Sequence, residues 1–259
     1  MDTAVLERLL DTYARMTADA DSYVYLAAVQ GLAALADALP GWCIPRLVGL
    51  FGADLSLSQR LKIGEAVVLS ARRCGDVMPK YAHFFVNAFV VAARERTAYD
   101  RTGAGKGYSG RAGCDSGSDG SVDRGVREEG FTEVSLESRE RYHFRASCLS
   151  NLAEVCQLLR WSLGRFSQDI VDLGVGILLM ETSRSEEATL VRRGATFLLS
   201  QLLRGAGGDV LEIVPARLLR AAYRALKLTV GRDRDEATRS HARIGLSYLD
   251  VAIRGQLFQ

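Results

Sequence analysis

Apolar residues recur at three- and four-residue spacing along nearly the whole chain. Val24, Leu26, Ala28, Val29, Leu32, Leu35 and Leu39 mark one such run, and Leu149, Leu152, Val155, Cys156 and Leu159 mark another. That spacing puts a broad apolar stripe on one face of an α-helix, the pattern of an inner, packed helix. Period-two alternation, the signature of a half-buried strand, is almost absent. Pro40, Pro45 and Pro79 fall where turns between helical runs are expected. The pattern predicts an all-α protein.

The helical runs resemble one another. "DSYVYLAAVQGLAAL" from Asp21, "SLSQRLKIGEAVVL" from Ser56, "RYHFRASCLSNLAEV" from Arg141, "EATLVRRGATFLLSQL" from Glu187 and "EATRSHARIGLSYL" from Glu236 share one design. Each has a polar opening, then small residues at the middle of an apolar helix, where they let a neighbouring helix come close. All but the last lead through a turn into a second apolar helix: "CIPRLVGLF", "MPKYAHFFVNAFVVAAR", "SQDIVDLGVGILLM" and "VLEIVPARLLRAAYRAL". With one interruption removed the units recur at roughly 40 residues, the period of HEAT and armadillo arrays. Such units bury their faces only against one another, so the pattern predicts an α-solenoid of helix pairs.

The interruption spans residues 97–140, where glycine, serine and mixed charges dominate. Apolar side chains there are too sparse to offset the entropy of ordering, which predicts a disordered insertion. The expected organisation is therefore HEAT-like repeats over 1–96, the insertion over 97–140, and further repeats over 141–259.

Composition changes this picture little. The 259 residues are 48% hydrophobic and 25% charged, with a formal net charge of +2, which argues against a nucleic-acid binder held by bulk charge. No segment reaches the roughly 18 uncharged apolar residues of a bilayer span, and the N-terminal "MDTAVLERLLDTYARM" lacks the basic start and unbroken apolar run of a signal peptide. Cys43, Cys74, Cys114, Cys148 and Cys156 are odd in number and form no C-x-x-C pair, so reduced thiols in the cytosol or nucleus are expected.

Chemistry-bearing patterns are weak. Gly105, Gly107 and Gly110 with Lys106 match G-x-G-x-x-G but lack the preceding strand and following helix that bring a pyrophosphate to a helix N-terminus. Cys148 and Cys156 lie eight apart on roughly one helical face, and a zinc site would need further close ligands that His143 alone does not supply. Packed core thiols are the simpler reading. Glu154 has no His or Ser partner for general-base work and is expected to face solvent or an ion-pair partner. His83, His143 and His241 fall in three different units, and Trp42 and Trp161 read as packing residues. Asn151 is expected to satisfy backbone groups of a neighbouring turn. No catalytic, metal or cofactor residue is assigned.

Several of these runs carry a family resemblance. "FRASCLSNLAEVCQLL" from Phe144 with Leu163 and Gly164, "DSYVYLAAVQGLAALAD" from Asp21, "KIGEAVV" from Lys62, "VRRGATFLLSQLLRG" from Val191 and "ARIGLSYLDVAIRGQLF" from Ala242 together resemble the C-terminal portion of the transport and Golgi organisation protein six family. Its fungal relatives are described as factors for assembly and nuclear import of RNA polymerase II. The resemblance implies a HEAT-like protein-binding scaffold in secretion and Golgi organisation, located in the cytoplasm or on Golgi membranes. Its alternative is an adaptor for assembly and nuclear import of the polymerase. Coat or polymerase-assembly components are the implied partners. The resemblance also implies a longer full-length protein and a short link between "VVAAR" and "FRAS" where this chain has 97–140. It supplies no active-site residues. The rivals are an enzyme whose site lies outside this segment and a peripheral membrane adaptor, for which Met1 to Met16 offers too few basic and aromatic residues.

One surface feature is a candidate docking site. Arg217, Arg220, Arg224 and Lys227 recur at helical spacing, with Leu218, Leu219, Ala222, Leu226 and Val230 opposite and only Glu212 as a nearby acid. Like charges at these spacings repel by a few tenths of a kcal/mol per pair. They form either a solvated face or a ridge for an acidic protein segment.

Overall fold

The computed structural model describes residues 2–95 and 128–257, with side chains of the long central helix described from Ser138 and those of the last helix as far as Gly255. The described residues are helical with short connecting turns, and no strand occurs among them. The helices are α1 (Thr3–Met16), α2 (Ser22–Ala38), α3 (Pro40–Phe51), α4 (Leu57–Arg73), α5 (Met78–Arg94), α6 (Glu128–Leu159), α7 (Ser167–Met180), α8 (Glu186–Ala206), α9 (Ala216–Arg232) and α10 (Glu236–Leu257).

Polar residues at or just before the expected unit openings act as caps. Asp21 accepts from Tyr23 N at 2.8 Å, Ser56 from Gln59 N at 3.2 Å, Ser185 from Ala188 N at 3.1 Å and Asp235 from Thr238 N at 2.8 Å. Each satisfies a backbone donor that the first helical turn leaves without a partner. Pro40 and Pro79 open α3 and α5, where a missing N–H costs nothing. Pro45 does not mark a turn: it lies inside α3, and Gly41 loses the amide that would bond its carbonyl.

The expected insertion ends earlier than Glu140. Residues 97–127 lie outside the described residues, but residues 128–140 are helical and continuous with the unit expected to begin at Arg141. From Thr132 to Leu159 the sequence contains no glycine or proline to break a helix. Arg139 ties this extension to the next unit through Glu187 at 2.9 Å.

Helices α2, α4, α6, α8 and α10 pack each on the next as one layer, and α3, α5, α7 and α9 do the same as a second. Each second-layer helix also packs on the first-layer helix that follows it. One apolar core runs from Leu6 to Ala252 through both layers, so the parts on either side of the expected insertion share it. Phe51, Phe89 and Phe144 meet there, with ring centroids 5.3 and 5.9 Å apart. Arg60 lies 4.4 Å over the Phe144 ring while donating to Phe51 O and to both carboxylate oxygens of Glu95.

The small residues fall where first-layer helices cross. A Cβ added at Gly64 of α4 would sit 3.4 Å from Asn151 of α6, and one at Gly194 of α8 would sit 3.2 Å from Leu149 of α6. One at Gly245 of α10 would lie 3.2 Å from Ser200 of α8. The tightest is Gly205 of α8, where a Cβ would stand 2.6 Å from the Cys156 carbonyl oxygen. The Gly205 crossing is closer than a Cβ would allow, and at the other three a side chain would force its neighbour to shift by a few tenths of an ångström.

Candidate partner-binding surface

Helix α9 divides cleanly into two faces. Leu218, Leu219, Ala222 and Leu226 are buried and Val230 packs on the core, while Arg217, Arg220, Arg224 and Lys227 are all exposed. The structure thus places the four basic residues on one stripe, as their spacing dictates. Arg217 donates to Gln168 of α7 at 2.6 Å, and Gln168 donates in turn to Asp172. Arg220, Arg224 and Lys227 make no hydrogen bond or ion pair among the described residues.

Sequence reasoning missed what flanks the stripe. Tyr223, 46% exposed, stands on one shoulder, and Leu228, 42% exposed, stands on the other beside Arg232. The second shoulder opens into a groove of about 420 Å³ between the C-terminal ends of α7 and α9. Leu179, Leu228, Glu181, Arg184, Arg232 and Arg234 line it, with Arg192 of α8 at its base. Leu228 and Arg232 continue the spacing of the stripe and were legible from it. Arg184, in the connection after α7, joins them only through the fold.

The base of the groove is a saturated network. Arg192 donates to Asp233 Oδ2 at 2.8 Å, to Ser183 O at 2.6 Å and to Thr189 Oγ1 at 3.0 Å. The next residue, Arg193, donates to both oxygens of Asp235 at 3.1 and 2.9 Å. Asp235 also accepts from Thr238 N and Oγ1 while it caps α10. The acids of the α9–α10 connection are thereby neutralised from within, whereas Arg184, Arg232 and Arg234 are exposed and make no contact of this kind among the described residues.

The Arg193 bonds, with those from Thr238, hold the Asp235 carboxyl well below the usual carboxylate range against the opposing effect of burial. A carboxylate with a depressed folded pKa stabilises the fold above its unfolded value, near 4, and that contribution disappears as pH falls through the folded value. Asp235→Asn retains a capping acceptor but no charge. Its melting temperature should therefore fall less than the wild type's between about pH 4 and pH 2. Parallel profiles for the two proteins would remove Asp235 from the acid response.

The remaining candidates are structural. Cys148 and Cys156 are buried in α6, and burial pushes the Cys148 thiol up to about 12 and the Cys156 thiol higher still. Both should resist alkylation in the native state, and Cys156→Ser should lower stability by roughly 1–3 kcal/mol in denaturant titration. Stoichiometric zinc in the purified protein would overturn the packed-thiol reading. Among the described residues no cluster of three or more His, Cys, Asp or Glu could hold a metal ion. Cys114 and the glycines at 105, 107 and 110 lie outside the described residues.

Glu154 pairs with Arg72 of α4 at 2.5 Å. Asn151 lies beside Gly64 and makes no hydrogen bond among the described residues, so it does not hold a neighbouring turn as expected. Trp42 is partly buried against the core with Arg46 over its ring, but Trp161 is not a packing residue. The chain turns at Arg160, whose φ of 45° lies in the left-handed region, and Trp161 is left 72% exposed. No helix among the described residues is long and apolar enough to cross a membrane.

Comparison with known families bears on the N-terminal third. Residues 1–77 match a family model described as "Required for nuclear transport of RNA pol II C-terminus 1". The match covers α1 to α4 and the turn that follows, and ends just before α5. The basic stripe and its groove lie beyond it.

Proposed function

We propose that this chain is a non-enzymatic HEAT-like scaffold that holds other proteins during nuclear transport of RNA polymerase II. The observation that carries the reading is the match of residues 1–77 to a family named for that role. It favours the polymerase branch of the resemblance over secretion and Golgi organisation. The architecture fits: helix pairs packed in two layers around one continuous core offer long exposed faces, the physical basis of recognition by α-solenoids. In this reading the partners are polymerase subunits or assembly factors, met in the cytoplasm, and α9 supplies part of the docking surface.

The test is to tag the protein in its own cells, isolate it from the cytoplasmic fraction and measure the stoichiometry of polymerase subunits bound. Depletion should at the same time shift the largest subunits toward the cytoplasm. Normal nuclear polymerase after complete depletion, with no subunit bound above background, would reject the role.

A further inference from the structure

We infer that the stripe on α9 and the groove beside it form one continuous docking track for an extended acidic peptide segment that carries a single large apolar side chain. The inference rests on reading the chain as a protein-binding scaffold, and it specifies the chemistry of what binds. Three observations support it.

First, the charges are unspent. Arg220, Arg224 and Lys227 on the crest, and Arg232, Arg234 and Arg184 around the groove, are exposed and bonded to no carboxylate among the described residues. Asp233 and Asp235 nearby are held by Arg192 and Arg193, which keeps them from neutralising the track.

Second, the spacing suits an extended chain. At 1.5 Å of rise per residue, Arg220 to Arg224, Arg224 to Lys227 and Lys227 to Arg232 are about 6, 4.5 and 7.5 Å apart along the axis. Alternate residues of an extended peptide are about 6.6 Å apart, so acids at every second position face successive cations. Arg220 to Arg232 then accommodates about six residues.

Third, the track ends at an apolar site. Leu228 and Leu179 line the groove and are 42% and 56% exposed. Such side chains surrounded by guanidinium groups suit a leucine or phenylalanine flanked by acids. The cations give rate and orientation, and burial of the anchor gives residence. Nucleic acid fits less well, because Tyr223 is the one exposed aromatic ring on the crest and a single ring offers no platform for stacking successive bases.

The experiment uses the 259-residue chain and three fluorescent peptides: one alternating Glu with Ser and ending in Leu-Glu-Glu, one with every Glu replaced by Gln, and one with the Leu replaced by Ser. Anisotropy at about 20 mM salt should show saturable binding of the first alone, weakening steeply toward about 300 mM as the charges are screened. Arg220→Glu with Arg224→Glu should weaken it about tenfold or more at low salt. Leu228→Ser should weaken it by a factor that changes little with salt. Circular dichroism and melting temperature should be those of the wild type in both proteins.

Equal binding of the Gln peptide, or undiminished binding to the reversed protein, overturns the track. Equal binding of the peptide without Leu overturns the groove as its end. Tighter capture of a single-stranded RNA of similar length reassigns the surface to nucleic acid and overturns the inference. None of these results touches polymerase co-isolation, so the two readings fail separately.

Discussion

Replacing Asp233 with Ala should destabilise the protein by about 3–5 kcal/mol, the usual consequence of removing one member of a buried ion pair. The side chains of Arg192 and Asp233 are 14% and 7% exposed, so water replaces the lost carboxylate poorly. Ser183 and Thr189 still accept from Arg192, but its charge has lost its counter-ion. For a chain of this size the melting temperature should fall by about 6–20 °C. The pair itself need not be net stabilising, because both ions give up hydration. Arg192→Met with Asp233→Leu should therefore lose clearly less than Asp233→Ala alone, although α8 loses its polar tie to the α9–α10 connection. Thermal and denaturant unfolding of the three proteins would show it. A double variant as unstable as the single would mean that the hydrogen bonds of Arg192, not its uncompensated charge, dominate.

Gly205→Ala should cost about 2–3 kcal/mol, although alanine favours a helix over glycine by about 1 kcal/mol. The new methyl group would stand 2.6 Å from the Cys156 carbonyl oxygen and 3.1 Å from Leu163. The first neighbour is backbone inside α6, so relief requires α6 and α8 to separate. Gly176→Ala supplies the control. It too lies within a helix, α7, but a Cβ there meets nothing within 4 Å. It should gain about 0.5–1 kcal/mol from the helical preference and the reduced freedom of the unfolded chain. Opposite signs in the two variants, read from denaturant midpoints, would separate close approach from propensity.

The helical class and the two-faced α9 were legible because each depends on local spacing: Leu218, Leu219, Ala222 and Leu226 could be buried together only by turning the four cations outward. The close crossings at Gly64, Gly194 and Gly245 were legible too, because each sits at the middle of one of the similar apolar runs. Pairings across units were not. Arg192 with Asp233 and Arg193 with Asp235 are 41 and 42 residues apart, about one repeat, and the sequence holds many charges at that interval with nothing to select these. The start of α6 was misplaced because the glycine- and serine-rich composition upstream was extended across Thr132 to Glu140, which continue the helix without a glycine or proline. Trp161 was read as a packing residue beside a turn, whereas the left-handed backbone at Arg160 leaves it exposed.

The distribution of glycines also has a mechanical meaning. In the first layer Gly64, Gly194, Gly205 and Gly245 bring helices into near-contact; in the second layer Gly49, Gly176 and Gly231 face open space, whereas Gly174 meets Leu199 of the first layer. A bend that compresses the first layer meets repulsion at these crossings at once, so this layer resists shortening. Because the groove lies between α7 and α9 of the second layer, a change in the spacing of those two helices would change its width.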